Sequence, residues 1–203
     1  VLAPISPNDQ AILNATEELI SWYKDRKALF VMTGVTPLHL AIFEKAWPGR
    51  FDVRELPDEA NYIYRSFDLA DLKGPGYRTK RNHIHRFKRE YPDFQFLPLS
   101  TALIPQCKEN LNQWVKDHDP NDLNIQGEYL GIDLAFDNFG DLDYLGACIL
   151  VGGKVIAFTI GEVLDHETMG IHVEKADTAY HGSFSAINQF FADQFCRKYP
   201  YIN

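Results

Sequence analysis

The sequence predicts an α/β (α+β) protein in which a mixed sheet is flanked by helices. Three observations carry this expectation. The apolar period switches between helical and alternating along the whole chain. "DYLGACILVGGKVIAFTIGEVL" (143–164) is two apolar runs joined by Gly152-Gly153, a specific signal for a two-residue hairpin. Around it the order is strand, helix, helix, hairpin, strand, loop, helix, strand.

The elements follow in order. "SPNDQAILNATEELISWYKDR" (6–26) carries Ile12, Leu13, Leu19, Ile20, Trp22 and Tyr23 at helical spacing behind a cap at Ser6 or Asn8. "KALFVMTG" (27–34) reads as a short buried strand. "TPLHLAIFEKAW" (36–47) is a second helix, with Thr36 as cap and Pro37 at the first helical position. "FDVRELPDEANYIYR" (51–65) gives one or two strands broken near Pro57, and "FDLADLKGPG" (67–76) a helical turn ended by glycines. A basic helix then runs to Pro92. "DFQFLPLS" (93–100) alternates as a strand, and a helix starts near Ile104-Pro105. "DPNDLNIQ" (119–126) is a polar connector, and Tyr129, Leu130, Leu134, Phe136 and Phe139 keep helical spacing. After the hairpin come a strand at 166–176, a loop, an amphipathic helix entered at Gly182-Ser183, and the start of a strand in "PYIN" (200–203).

The totals bound the function. The 203 residues suit one large domain or two small ones and can bury a real core. A formal net charge of -8 argues against a dedicated nucleic-acid coat, though a local basic patch still binds anions. The three cysteines are far apart and odd in number, which points to a reducing cytosol rather than a disulfide framework. No apolar run is long enough to span a membrane. The N-terminus does not read as a signal peptide, so a cytoplasmic location is expected. The polypeptide is expected to continue beyond Asn203, where a strand has just begun.

One segment breaks with the acidic whole. "GPGYRTKRNHIHRFKREYPDF" (74–94), with Lys73 before it, holds seven of the chain's 20 Lys and Arg residues. On a helix, Arg78, Arg81, Asn82, His85 and Arg89 share one face, opposite Ile84 and Phe87. Guanidiniums suit a phosphate, which they bind in a bidentate fork. The plain alternative is a solvated cationic face.

The motifs "YRTKRNHIHRFKREYPDF", "GKVIAFTIGE", "HVEKAD...HGSFSAINQFFA" and "YPYIN", in that order, carry a resemblance. Together they are similar to the soluble bacterial proteins related to the C-terminal domain of phosphatidylglycerol lysyltransferase. The element order likewise resembles the GNAT acyltransferases. The resemblance is good from about residue 61 to 203. It implies a tandem of GNAT-like halves, here at 1–93 with the basic helix and at 94–203, the second cut short at its last strands. Membrane-linked members of that family move an aminoacyl group from a charged tRNA to a lipid head group. Two departures stand out: Gly74-Pro75-Gly76 where relatives carry a basic residue after the first glycine, and an end at "YIN" where relatives continue.

The implied reaction is acyl or aminoacyl transfer to an amine or hydroxyl by direct attack, with a coenzyme A thioester or an aminoacyl-tRNA as donor and no metal. Arg78, Lys80, Arg81, Asn82, His85 and Arg86 are the candidates for gripping an anionic part of a small-molecule, phosphorylated or tRNA substrate. Ile171, Val173, Lys175, Gly182 and Ser183 are expected to frame the donor, with Gly182 giving close backbone approach at a helix N-terminus. By strand alternation His172 and Glu174 share one face and would manage the proton, with Tyr180 or His181 as the acid at the leaving group. The structural alternatives are an ordinary helix cap at Gly182-Ser183 and an ion pair at Glu174. A further rival is a non-catalytic scaffold that binds a phosphorylated ligand, or RNA through the basic helix. No His/Asp/Glu spacing suggests a metal site. Cys148 and the Phe and Trp clusters, Trp114 included, read as core.

Overall fold

The computed structural model describes residues 1–57, 61–119 and 121–203. The chain divides into two compact units, Val1–Ala60 and Asn61–Asn203.

The first unit holds two helices, α1 (Asp9–Asp25) and α2 (Pro37–Ala46). Asn8 starts α1 by accepting the amides of Gln10 and Ala11. Thr36 and His39 close a reciprocal capping box on α2, with Pro37 inside the first turn. Ile12, Ile42 and Phe43 form the unit's core, with Trp47 and Phe51 packed against it. The strand expected at 27–34 is absent. Lys27 turns left-handed (φ 52°), Leu29 and Val31 are exposed, and only Thr33 pairs, through a single bridge to Leu2. With one bridged residue opposite it, this apolar run has no ladder to join.

The second unit carries a six-stranded mixed sheet. Its strands are β1 (Tyr64–Arg65), β2 (Gln95–Pro98), β3 (Leu145–Val151), β4 (Lys154–Val163), β5 (Thr168–Ala176) and β6 (Tyr201–Ile202). Their order is β1-β6-β5-β4-β3-β2. Only β5 and β6 run parallel, with Met169 opposite Ile202; the other pairs are antiparallel. Gly152 and Gly153 both take positive φ, 58° and 80°, as the two-residue turn between Val151 and Lys154 requires. Of the strand expected at 51–65, residues 64 and 65 form β1, and 58–60 lie outside the described residues; so does Pro120 of the connector.

Five helices cover this sheet: α3 (Ser66–Asp71), α4 (Arg78–Glu90), α5 (Ile104–Lys116), α6 (Leu123–Asp137) and α7 (Ser183–Phe191), the last running on into a π-turn at Ala192–Cys196. One face of the sheet, with Ala147, Ile149, Ala157 and Met169, packs on Ile84 and Phe87 of α4 and on Ile187 and Phe191 of α7. The other, with Cys148, Phe158 and Ile160, packs on Leu111 of α5 and Ile132 and Phe136 of α6. Strand period two sends alternate residues to the two cores. The element order expected of a GNAT-like unit is therefore present, all of it within residues 61–203. The unit boundary does not fall at 93/94: α4 packs against α7, so the basic helix lies in the same unit as the hairpin.

Candidate functional site

Glu174, near the C-terminal end of β5, is the focus. It sits opposite Thr159 of β4 and points to α7, where Asn188 Nδ2 donates to its Oε2 at 3.2 Å. Burial lifts its pKa to about 7; the Asn188 hydrogen bond and the Lys80 charge on α4 oppose the rise without cancelling it. Glu174 also lines a cavity of about 400 Å³. Asn110 and Trp114 of α5, His118 just after that helix, and Phe184 of α7 form other parts of its wall.

His172 does not join Glu174. Ile160 pairs with Val173 but Gly161 pairs with Ile171, so His172 is an extra residue, a bulge that breaks the alternation. Its Nε2 donates to Glu162 Oε1 at 2.8 Å and its ring lies by Tyr144. Tyr180 packs on Tyr91 at 5.3 Å between ring centroids, and is not in the cavity wall. His181 lies edge-on to His83 at 5.1 Å.

The expected donor frame is largely committed elsewhere. The Ile171 amide donates to Asn203 O, and Val173 packs into the second core while its carbonyl accepts the Thr159 hydroxyl. Lys175 lies over the Trp114 ring, Nζ 3.5 Å from the centroid, and pairs with Glu128 at 2.7 Å. Ser183 is buried and its hydroxyl donates to Asp177 O. At Gly182 (φ 86°) a Cβ would stand 2.4 Å from His83 O and 3.2 Å from Phe87 Cβ. The glycine admits α4, not a ligand.

The basic helix divides in two. Arg81 donates to the Leu72 and Gly74 carbonyls, closing the end of α3 and the Gly-Pro-Gly lead-in. Arg86 pairs with Glu90 one turn on, at 2.6 Å. Neither is free to hold a ligand in this arrangement. Arg78, Asn82, His85 and Arg89 are exposed, and their side chains make no hydrogen bond or ion pair among the described residues. Their spacing of four, three and four puts them in one row along α4, roughly 16 Å long. Lys80 is likewise exposed.

The residues missed from sequence are Asn110, Asn188, Trp114, His118 and Phe184. Asn110 is only 4% exposed beside Cys107 and Leu111, and Asn188 follows the buried Ile187. An asparagine inside an apolar helical stripe was the available signal. The thiols offer no nucleophile: burial raises Cys107 strongly, Cys148 to about 11 and Cys196 to about 12. Among the described residues no group of His, Cys, Asp and Glu has a metal-binding arrangement, and no helix is long and apolar enough to cross a membrane.

Comparison with known proteins places this geometry. The family model "Phosphatidylglycerol lysyltransferase, C-terminal" matches residues 1–203. A conserved protein of unknown function from Bacteroides thetaiotaomicron is similar at 36% identity and TM-score 0.86, over 100% of this chain and 68% of its own. The C-terminal domain (DUF2156) of a protein named as a lysylphosphatidylglycerol synthetase from Agrobacterium fabrum shares the fold at TM-score 0.57 and 15% identity, over 100% of this chain and 62% of its own. A functionally unknown protein from Staphylococcus epidermidis aligns at TM-score 0.50 and 10% identity, over 99% of this chain and 71% of its own. None of the curated proteins matches the sequence.

Proposed function

We propose, for a chain that belongs to the phosphatidylglycerol lysyltransferase C-terminal family, that it transfers an aminoacyl or acyl group to an amine or hydroxyl by direct attack. The observation that carries this reading is Glu174, a residue of the cavity wall whose buried carboxyl is lifted to about 7. A base poised near neutrality is matched to taking a proton from an attacking amine. In the step, the nucleophile's lone pair attacks the acyl carbonyl carbon and its proton passes to Glu174. The bond to the donor breaks, and the leaving oxygen or sulfur departs with that electron pair. Lys80, close enough to act on the Glu174 charge, favours the anionic form of the base before the step.

An aminoacyl-tRNA suits this site better than coenzyme A. The loop that would cradle a pyrophosphate is filled at Gly182 by α4, whereas the row Arg78, Asn82, His85 and Arg89 is open to a phosphodiester backbone. That same open row favours a second reading, in which the protein binds a phosphorylated ligand without turning it over.

The test compares wild type with Glu174→Gln on charged tRNA and on coenzyme A thioesters. Expected is a loss of turnover of about 100-fold or more with donor affinity unchanged. Turnover that survives Glu174→Gln refutes the assigned base, and binding with no turnover of any donor favours the second reading. Mass spectrometry of a co-purifying small molecule adds a check, since a coenzyme A thioester there would displace the tRNA donor.

A further inference from the structure

Asn188 lies on α7 where that helix faces β5, and its two amide atoms are used unequally. Nδ2 donates to Glu174 Oε2 at 3.2 Å. Oδ1 of the same side chain is buried and has no hydrogen-bond partner among the described residues. A buried polar atom without a partner is costly and calls for a reason. The chemistry of the pair supplies one. A carboxylate only accepts hydrogen bonds, whereas a carboxylic acid gains an O–H donor. A half-turn of an amide about χ2 exchanges a donor for an acceptor at nearly the same place.

We propose that Asn188 is a positioning residue that serves both protonation states of Glu174, donating through Nδ2 to the carboxylate and, after a half-turn, accepting through Oδ1 from the acid. The groups facing Glu174 leave this task to Asn188. Lys80, from α4, carries donors only and interacts with the carboxylate by charge. Cys196, from the π-turn after α7, stays a neutral thiol, a weak acceptor. Thr159, across the strand pair, gives its hydroxyl proton to Val173 O, so it can offer Glu174 an acceptor but no donor, and only Asn188 carries both.

The inference rests on Glu174 as proton acceptor. During transfer an N–H bond of the attacking amine breaks and an O–H bond forms on Glu174, while the nitrogen keeps the electron pair it needs for the new C–N bond. The proton then passes from Glu174 to water and the carboxylate returns. With an amide that turns, the carboxyl stays hydrogen-bonded at both ends of this cycle and holds its position against α7.

The test uses the full chain and needs no substrate. Neutron diffraction from crystals in D₂O at about pH 5 and about pH 9, on either side of the Glu174 midpoint, locates the deuterons. Expected are opposite orientations of the Asn188 amide, with a Glu174 O–D directed at Oδ1 in the acidic crystal. In solution the ¹⁵N side-chain resonance of Asn188 should shift with the Glu174 midpoint, and Glu174→Gln should abolish that shift. The same amide orientation at both pH values, or a resonance that does not follow Glu174, overturns the proposal. The two readings fail separately. An amide that turns in a protein whose transfer survives Glu174→Gln sinks the transfer assignment alone. A fixed amide in a protein whose transfer needs Glu174 sinks this inference alone.

Discussion

Gly182→Ala separates two roles for the loop before α7. If the glycine's function is to let α4 approach, the substitution destabilises the fold; if it is to admit a ligand, it spares the fold and weakens binding. The geometry gives the magnitude. At φ 86° an L-residue sits in the left-handed region, which costs about 1–2 kcal/mol. The new Cβ would also stand 2.4 Å from His83 O and 3.0 Å from His83 C. Those atoms are backbone in the interior of α4, so no rotamer change relieves the clash, and overpacking of this kind adds about 1–3 kcal/mol. The sum is about 2–5 kcal/mol, a loss of roughly 5–15 °C in Tm for a chain of this size. Urea and thermal unfolding followed by circular dichroism measure it. Gly76→Ala is the control, because a Cβ there meets nothing within 4 Å. A Gly182→Ala protein within about 0.5 kcal/mol of wild type would refute the packing argument.

Other perturbations have equally definite outcomes. The Glu174 carboxyl has its folded pKa raised from 4.5 to about 7, so the folded state binds the extra proton between those values. Its contribution is therefore fully present below about pH 4.5 and is lost as pH rises through about 7. The loss is at most about 3 kcal/mol, and Glu174→Gln should flatten that part of a stability–pH profile measured by urea unfolding. Arg81→Ala removes charged donors from the Leu72 and Gly74 carbonyls and should cost about 2–3 kcal/mol in the same assay. Arg78→Ala and Arg89→Ala should leave stability within about 0.5 kcal/mol. If the open row binds tRNA, each should instead lower the salt slope of affinity by about one, read from binding isotherms at several ionic strengths.

What could be read from the chain alone was what local chemistry decides. Asn8, Thr36 and Pro37 start α1 and α2 because caps act within one turn. Gly152-Gly153 makes the hairpin because both residues need positive φ. The amphipathic character of α4 was also legible, and Ile84 and Phe87 are buried as their spacing demands. The failures share a cause as well. "KALFVMTG" has strand composition, but a strand needs a partner, and pairing is set by tertiary context. Arg81 and Arg86 looked like ligand-binding cations because charge clustering does not say which cations meet carbonyls or carboxylates inside the fold. Asn188 gives no sign of its role, and Trp114 reads only as core, because what β5 brings to each is not written in its own helix.

The bulge at His172 shows how one backbone irregularity reorganises a site. With regular alternation His172 and Glu174 would form an imidazole–carboxylate pair on one face. One extra residue on β5 leaves His172 with Glu162 by Tyr144, and Glu174 against Asn188. The consequence is chemical: Glu174 has no imidazole to share its proton, so burial alone sets its high pKa and a neutral amide is its hydrogen-bond partner. Deleting His172 makes the Ile171–Gly161 and Val173–Ile160 pairs consecutive, and because Ile171 already packs on the first core and Val173 on the second, alternation is restored without turning either half of β5 over. Glu174 then keeps its place opposite Thr159, facing Asn188. The deletion should therefore keep the raised Glu174 midpoint, and His172→Ala, which keeps the bulge, should cost about 1 kcal/mol or less of stability in urea unfolding. A Glu174 midpoint that falls back toward 4.5 in the deletion variant, read by NMR titration, would show instead that the extra residue is what holds Glu174 against Asn188.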